Sequence, residues 1–108
     1  MEAFLVISFM AAKGTNMCYV YMLLCSDGSL YTGWTSDLER RFKMHSDGKA
    51  SKYTRARLPV RLVYFEEIEC RIEAQKREWE IKKFSRKQKL ALIESRSNKF
   101  AALGIRHE

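Results

Sequence analysis

The sequence is poor in the residues that build disulfide frameworks and zinc sites. Among its 108 residues are three cysteines, Cys18, Cys25 and Cys70, and two histidines. A zinc site needs about four cysteine or histidine ligands at close spacing, and a disulfide framework needs paired cysteines. The odd number of cysteines contains no Cys-x-x-Cys pair. We therefore predict three reduced, apolar side chains in a reducing, cytoplasmic compartment.

The sequence also lacks a long apolar run. Residues 4–10 are apolar, but a membrane-spanning helix needs about 20 such residues. The one charge before this run is Glu2, whereas a secretory signal begins with basic residues. We predict no membrane span and assign residues 1–16 to an N-terminal extension. Its role stays open between a disordered segment, an extra packed strand and a translated leader before a start at Met17.

Positive charge is what the sequence has in excess. Lys and Arg number 20 against 13 Asp and Glu, which gives a net charge of +7. A small basic domain favours an anionic partner, most often nucleic acid, although a solvated basic surface has the same composition. Charge alone does not separate binding DNA from cutting it. The length and the 46% hydrophobic content indicate one globular domain.

Two strand-like segments predict a hairpin. Residues 18–25 and 30–34 are rich in aromatic and branched side chains, and Ser26-Asp27-Gly28 between them is a turn pattern. A two-residue loop would put Tyr21 and Tyr31 on opposite faces of the hairpin. A three-residue loop with a left-handed glycine would put both on one face. Both registers fit the local sequence, and the choice decides whether the two tyrosines share a site.

A capping-box pattern predicts the next helix, with Ser36 as its N-cap and Glu39 reaching back to the cap. One face of this helix carries four residues at helical spacing: Leu38, Arg41, Phe42 and His45. Arg41 and His45 are therefore expected beside a buried apolar stripe rather than in solvent. The following residues 49–57 are predicted to form a basic loop.

The second half of the sequence predicts one strand and two helices. Residues 60–66 predict a third strand, because successive side chains alternate between two sets. One set is Val60, Leu62 and Tyr64, and the other is Arg61, Val63 and Phe65. Residues 71–84 predict the strongest helix, on which Glu78 stands in the apolar stripe between Ala74 and Ile81. A second capping box at residues 85–88 predicts a last helix, and loose structure is expected after Ser97.

These elements predict an α/β (α+β) fold, a small three-stranded antiparallel sheet flanked by helices in the order β-β-α-β-α-α. The domain is expected to span residues 17–97, with a loose tail over residues 98–108. Within it, Arg41, His45 and Glu78 occupy positions where apolar residues are expected. A buried ion costs several kcal/mol unless it is paired or coordinated. Either a buried Arg41–Glu78 salt bridge fixes the packing, or these residues form a functional site.

Two tyrosine tripeptides and three later residues carry a resemblance to a known family. Tyr19-Val20-Tyr21 and Tyr31-Thr32-Gly33 are followed in order by Arg41, His45 and Glu78. Over about residues 17–93 the sequence resembles the GIY-YIG endonuclease superfamily, above all its small stand-alone bacterial members. The N-terminal domain of the UvrC repair nuclease and the catalytic domain of structure-specific junction nucleases are similar to these members.

The resemblance implies a role for each matching residue. Tyr31 or Tyr21 would help to activate the attacking water, and Arg41 would bind the scissile phosphate. His45 would assist proton transfer or contact the phosphate. Glu78 would be the sole protein ligand of one divalent metal ion, Mg²⁺ or Mn²⁺, which one carboxylate, waters and substrate phosphate can hold. A tyrosine, with an ordinary pKa of about 10, needs neighbouring cations to act as a base near neutral pH.

The chain departs from the family pattern in four places. Tyr19 replaces the first Gly, and Thr32 replaces the middle Ile of the second tripeptide. Trp34 stands where many members have Lys, which removes one candidate cation. Residues 84–88 contain no Asn, although many members carry one after the acidic helix. The support that this Asn gives to the leaving group or to the structure has no counterpart there.

Two basic segments predict contacts with the DNA backbone. Tyr53 lies within the first segment and could stack on an exposed base. The predicted DNA-binding residues are Lys49, Lys52, Tyr53, Arg55, Arg57, Lys82 and Lys83. No recognition helix is evident, so this domain is not expected to read DNA sequence.

Three hypotheses about function follow from these patterns. The favoured one is a metal-dependent DNA endonuclease that hydrolyses phosphodiester bonds in branched, nicked or damaged DNA, as in DNA repair. The second is a non-catalytic nucleic-acid-binding module with the same fold. The third is a nuclease subunit that needs a protein partner. The sequence leaves the preferred DNA structure and the oligomeric state open.

Overall fold

The computed structural model describes residues 17–102 of the chain. The elements follow the order β1 (Cys18–Leu24), β2 (Leu30–Thr35), α1 (Leu38–Ser46), α2 (Lys52–Arg55), β3 (Arg61–Ile68), α3 (Arg71–Lys82), α4 (Arg86–Ile93) and α5 (Lys99–Ala102). The strands form one antiparallel sheet in the order β2-β1-β3. The predicted α/β fold and element order are confirmed, and two short helices, α2 and α5, are added to them.

The hairpin between β1 and β2 adopts the three-residue loop. The Cys25 amide donates to the Ser29 carbonyl, and Gly28 has a φ of 86°, a conformation that favours glycine. In the resulting register Tyr21 lies opposite Gly33, and Leu23 lies opposite Tyr31. Because side chains two residues apart share a face, Tyr21 and Tyr31 lie on the same face of the sheet.

Strand β3 contains a bulge that the sequence pattern did not reveal. Met22 pairs with Tyr64 and Leu23 pairs with Leu62, so the residue between them, Val63, has no opposite partner in β1. The bulge turns Val63 and Tyr64 to one face and leaves Leu62 and Phe65 on the other. The predicted simple alternation of residues 60–66 is therefore wrong, because one extra residue shifts the register within the strand.

The sheet lies between two sets of helices. One face, named here the α1 face, carries Tyr21, Leu23 and Phe65 and packs against residues of α1. The opposite α3 face carries Val20 and Met22 among the residues that pack against α3 and α4. On α3 the buried side chains are Ala74 and Ile81, as the helical spacing predicts. Both faces of β1 are thus covered.

The helix caps differ from the prediction at one end of α1. Asp37 is the N-cap: its carboxylate accepts a hydrogen bond from the Arg40 amide, and the Thr35 hydroxyl accepts from the Asp37 amide. The prediction of Ser36 as the cap is wrong, because the helix begins one residue later and a carboxylate is an equally good acceptor there. The capping box of Ser85 and Gln88 at the start of α4 is confirmed.

Two segments expected to be irregular contain helical structure. The predicted basic loop includes α2, whose N-cap Ser51 accepts from the Thr54 amide. The predicted loose tail is wrong for its first residues, because Asn98 donates to the Val63 and Ile93 carbonyls and Phe100 is buried on the α1 face. Residues 1–16 and 103–108 lie outside the described residues. None of the helices between residues 17 and 102 is long and apolar enough to cross a bilayer.

Candidate active site on the α1 face

A glycine allows a tyrosine to cross the edge strand. Tyr21 is 1% exposed, and its ring lies over Gly33 in β2. A Cβ atom at position 33 would stand 2.6 Å from the Tyr21 hydroxyl oxygen and 2.7 Å from its Cζ. No side chain is compatible with that separation, so the glycine of the second tripeptide is required by the tyrosine of the first. The Tyr21 hydroxyl is thereby directed away from β1, across β2.

A buried chain of hydrogen bonds connects β1, α1 and α2. The Tyr21 hydroxyl lies 2.8 Å from His45 Nε2, and His45 Nδ1 lies 2.9 Å from the Thr54 Oγ1. His45 and Thr54 are both fully buried. His45 reaches this position because the helical spacing of α1 turns it to the same side as Leu38. Both ring nitrogens of His45 therefore have partners without any contact to solvent.

His45 is neutral at ordinary pH. Burial, with a smaller contribution from the Arg41 guanidinium, lowers the pKa of His45 to about 4. Burial also raises the pKa of Tyr21 above the ordinary phenol value, while Arg41 beside the hydroxyl opposes that rise. A neutral imidazole has one N–H donor and one acceptor nitrogen. The Tyr21–His45 contact is therefore a hydrogen bond between two uncharged groups.

Arg41 carries a positive charge that no carboxylate neutralises in the described part of the chain. Its Nε is buried and has no hydrogen-bond partner there. The guanidinium is near enough to Tyr21 to oppose the rise that burial causes in the pKa of that phenol. The alternative of a buried Arg41–Glu78 salt bridge is not found between residues 17 and 102. A half-buried, unpaired guanidinium is costly to a fold, and it is suited to an incoming anion.

Tyr31 stands at the accessible side of this cluster. Its ring contacts the His45 ring edge-on with the centroids 5.1 Å apart, and it stacks on Tyr53 at 5.9 Å. The Arg57 guanidinium covers the other side of Tyr53, 3.8 Å from the ring centroid. Tyr31 is half-buried, and its hydroxyl makes no hydrogen bond to another described residue. Of the two motif tyrosines, Tyr31 is the one that a substrate can reach.

Glu78 belongs to a helix on the opposite side of the sheet from His45. It stands on α3, whose buried residues pack on the α3 face, and its side chain is 19% exposed. Its charge contributes to the raised pKa of Tyr21. Lys82 pairs with Glu78 at 3.4 Å.

A family match accounts for these positions. The profile of the GIY-YIG catalytic domain matches residues 17–91. The chain belongs to the GIY-YIG family. The membership expected from the two tripeptides is thereby confirmed, and the matched region contains both tripeptides together with Arg41, His45 and Glu78.

Small bacterial GIY-YIG relatives cover most of the chain. A UPF0213 protein of Clostridium perfringens is 60% identical, over 77% of this chain and 89% of the relative. A UPF0213 protein of Staphylococcus saprophyticus is 53% identical, over 69% of this chain and 92% of the relative. Their similar lengths agree with the expected resemblance to small stand-alone members.

Two solution NMR structures are similar to this GIY-YIG domain. A UPF0213 protein from Bacillus halodurans is 46% identical with a TM-score of 0.50, over 75% of this chain and 86% of that one. A protein from E. faecalis is 40% identical with a TM-score of 0.51, over 85% of this chain and 93% of that one. Both likenesses agree with the strand and helix arrangement described above.

The structure gives a position to two departures from the GIY-YIG pattern, Trp34 and the lack of an Asn in residues 84–88. Trp34 packs on the α3 face, where the Arg71 guanidinium lies 5.4 Å from its ring centroid. Position 34 therefore points away from the face that carries Tyr31. Residues 84–88 contain no Asn, and the buried amide that connects α4 to β3 belongs to Asn98. Its bonds to two backbone carbonyls give it a structural function.

The residues present fit a weakly held, oxygen-ligated metal ion and not a zinc ion. Between residues 17 and 102 no group of three or more His, Cys, Asp or Glu side chains could hold a metal. Mg²⁺ and Mn²⁺ accept one carboxylate together with waters and substrate phosphate. Glu78 is a partly exposed carboxylate of this kind, and its one ion-pair partner in the described residues is Lys82.

The predicted DNA-binding residues lie in two places. Lys49, Lys52 and Arg55 are exposed around α2, next to the Tyr31–Tyr53 stack, and Tyr53 is 38% exposed. Arg57 is engaged by Asp27 at 2.9 Å as well as by the Tyr53 ring. The second group stands near the C-terminal end of α3: Lys82 pairs with Glu78, and Lys83 lies 3.2 Å from the Trp79 ring centroid.

Sequence reasoning missed Thr54 and Ser51. Both hydroxyls belong to the hydrogen-bond chain behind His45. A serine three residues before a threonine is a weak N-cap pattern, and it was the one signal that could have identified α2. The clustered positive charges of residues 49–57 obscured it, because a run of charged residues is typical of an exposed loop.

Proposed function

We propose that this protein is a metal-dependent endonuclease that hydrolyses phosphodiester bonds in DNA. The observation that carries the proposal is Arg41, a half-buried guanidinium with no carboxylate partner in the described residues, beside Tyr21 and His45. A phosphodiester supplies the anion that Arg41 lacks, and a guanidinium can contact two of its oxygens at once. The net charge of +7 favours a polyanionic substrate.

The two motif tyrosines have different functions in this proposal. Tyr31 is accessible and its hydroxyl has no described partner, so it contacts and orients the attacking water. Tyr21 is 1% exposed and acts through its neighbours by holding Arg41 and His45 in place. The sequence allowed either tyrosine to activate the water, and the difference in exposure favours Tyr31.

Glu78 would hold the divalent ion. When bound, Mg²⁺ or Mn²⁺ neutralises charge on the phosphate and lowers the pKa of a bound water. Glu78 belongs to α3 and the other candidate groups belong to β1, β2 and α1, so the proposed site requires both faces of the sheet. Lys52 and Arg55 on α2 and Lys82 on α3 would contact flanking phosphates.

The test is cleavage of supercoiled plasmid and of branched and nicked DNA by purified protein with Mg²⁺ or Mn²⁺. Glu78→Gln removes the proposed metal ligand and should abolish cleavage while leaving DNA binding nearly unchanged. Glu73→Gln is the matched control, because Glu73 is an exposed carboxylate on the same helix whose partner is Lys76. It should cleave at the wild-type rate.

Two results would overturn the proposal. If wild-type protein binds DNA and cuts none of these substrates, the chain is a binding module or needs a protein partner. Adding a partner-containing extract from the source cells would then separate these two, because only the subunit would gain metal-dependent cleavage. If Glu78→Gln cuts as fast as wild type, Glu78 is not the metal ligand.

A further inference from the structure

The direction of each bond in the buried hydrogen-bond chain follows from which groups can donate. At its far end the Thr54 hydroxyl can donate to the Ser51 carbonyl oxygen, so His45 Nδ1 is the donor to Thr54. At the near end the positive charge of Arg41 favours a Tyr21 oxygen whose lone pairs face the guanidinium. The Tyr21 hydrogen then needs an acceptor of its own, and His45 Nε2 is 2.8 Å away. A neutral imidazole whose Nε2 accepts must carry its proton on Nδ1.

The far end of the chain agrees with that direction. His45 Nδ1–H donates to Thr54 Oγ1 at 2.9 Å. The Thr54 hydroxyl is then free to donate onward to Ser51, whose Oγ is 2.9 Å and whose carbonyl oxygen is 3.4 Å away. Ser51 is the N-cap of α2 and also accepts from the Thr54 amide. Each donor in the chain therefore meets one acceptor, from Tyr21 to the start of α2.

We propose that Thr54 is a positioning residue that fixes the tautomer of His45 and thereby turns the Tyr21 oxygen toward Arg41. The opposite tautomer would put a proton on Nε2. The Tyr21 oxygen would then receive donors from both His45 and Arg41, while its own hydrogen would have no acceptor among these groups. In the proposed function Thr54 touches neither the substrate nor the metal ion.

The placement of Thr54 gives the inference a structural reason. Thr54 is fully buried and lies on α2 between Tyr53 and Arg55, which face outward. A buried hydroxyl in the middle of an exposed basic segment is unusual, because threonine at such a position is ordinarily solvated. Its side chain is directed inward to His45, and α2 is attached to α1 through that contact.

The first experiment is nitrogen NMR of the imidazole in the full-length protein. Long-range correlations from the ring carbon-bound protons identify which nitrogen is protonated, and His45→Gln assigns the signals against the second histidine of the chain. The expected result for wild type near pH 7 is a proton on Nδ1 of a neutral ring. A proton on Nε2 would overturn the inference, whatever any variant does.

Three variants then test Thr54 itself. Thr54→Val keeps the shape and removes the acceptor of Nδ1–H, so the signals should shift toward the Nε2–H tautomer. Thr54→Ser keeps the hydroxyl and should retain the wild-type tautomer. Thr32→Val is the matched control, because Thr32 Oγ1 is another buried hydroxyl and has no partner in the described residues. An unchanged tautomer in Thr54→Val would overturn the inference.

Cleavage is the second readout, and it rests on the proposed function. Thr54→Val should lower the rate by about 10- to 100-fold, as expected when the partner that orients a functional histidine is lost. Thr54→Ser should restore the rate, and Thr32→Val should not reduce it. If no variant and no wild-type protein cleaves DNA, the proposed function fails, whereas the tautomer measurement still decides the role of Thr54.

Discussion

The two faces of the sheet each contain a buried tyrosine beside an arginine, and the two arginines differ in their partners. On the α3 face, the Tyr64 hydroxyl donates to Glu66, which receives Arg77 Nε at 3.0 and 3.1 Å and Nη2 at 2.8 Å. Burial and the Glu66 carboxylate raise the pKa of Tyr64. Arg77 also pairs with Glu80. Every charge in this network has an opposite charge.

On the α1 face, Tyr21 bonds to a neutral histidine and the neighbouring Arg41 has no carboxylate partner in the described residues. Each network contains a tyrosine and an arginine. The arginine on the α3 face has carboxylate partners, whereas the arginine on the α1 face has none in the described residues. A compensated network stabilises the fold, and an uncompensated cation is retained where an anion binds. Arg77 therefore serves the fold, and Arg41 is the arginine for which we propose a functional role.

The strongest test of the comparison is to replace each of the two arginines by methionine and to measure both cleavage and stability. Arg41→Met should reduce cleavage by about 100- to 1000-fold, because a donor to a developing negative charge is lost. Its stability should be unchanged or slightly higher, since the variant removes an unpaired charge. Arg77→Met should lower the free energy of unfolding by about 2 kcal/mol, because the Glu66 carboxylate loses a charged partner.

Cleavage kinetics and urea unfolding of both variants measure these effects. Arg77→Met should cut within about tenfold of wild type at a temperature where it is folded, a change of about 1.4 kcal/mol in the barrier. Equal loss of stability in both variants would remove the distinction between the networks.

The pH dependence of stability should reveal the neutral histidine. The folded pKa of His45 is about 4, below its ordinary value of 6.5, so between these values the unfolded chain binds the extra proton. Stability present above pH 6.5 is therefore lost as the pH falls toward 4. The loss attributable to His45 should be about 3 kcal/mol.

His45→Gln isolates that contribution, because the carboxylates titrate in both proteins. The difference between the two unfolding free energies should change across this interval and stay constant above it. A difference that does not depend on pH would show that His45 is protonated in the folded protein or exposed to solvent.

The contact between Tyr21 and Gly33 should be a steric coupling confined to the α1 face. Gly33→Ala should lower stability by about 2 kcal/mol, because the added Cβ overlaps the Tyr21 ring. In the background of Tyr21→Ala the same substitution should cost much less. Thermal unfolding of the two single variants and the double variant gives the coupling energy. Additive effects would mean that the ring can move away from β2.

The smallest effect on stability is expected at Tyr53, the partly exposed residue that stacks on Tyr31. Tyr53→Leu removes the stack on Tyr31 and the contact with Arg57, and should lower stability by about 1 kcal/mol. Tyr53→Phe retains the ring and should stay close to wild type. If Tyr53→Phe lost as much stability as Tyr53→Leu, the hydroxyl and not the stacked ring would be the stabilising group.

Much of the fold could be predicted from the sequence because its elements have regular spacing. The strands of the hairpin alternate, and the helical spacing of Arg41 and His45 placed both beside the core. The bulge at Val63 could not be found in this way, since residues 62–65 are all apolar and the pattern does not distinguish one face from the other. The hairpin register could not be chosen from the sequence, because a two-residue and a three-residue loop both fit the turn at residues 26–28.

The candidate site was predicted where a polar residue interrupts an apolar pattern, as Arg41, His45 and Glu78 do. Thr54 is polar within a polar segment, so nothing in its surroundings indicates that it is buried. Asn98 was missed for the same reason. It follows the last periodic helix, and its two bonds to backbone carbonyls depend on the position of β3.

The bulge in β3 gives Val63 a different tolerance to mutation from that of its neighbours in the strand. Val63 can be replaced by another apolar residue, since neighbouring positions are filled by Leu62 and Tyr64. Deleting it would make Leu62 and Tyr64 consecutive residues that still face opposite sides and still pair with Leu23 and Met22, so the strand would lose the bulge and keep its register. We therefore expect deletion of Val63 to be tolerated better than deletion of a paired residue elsewhere in β3, which would turn the residues beyond it to the opposite face of the sheet.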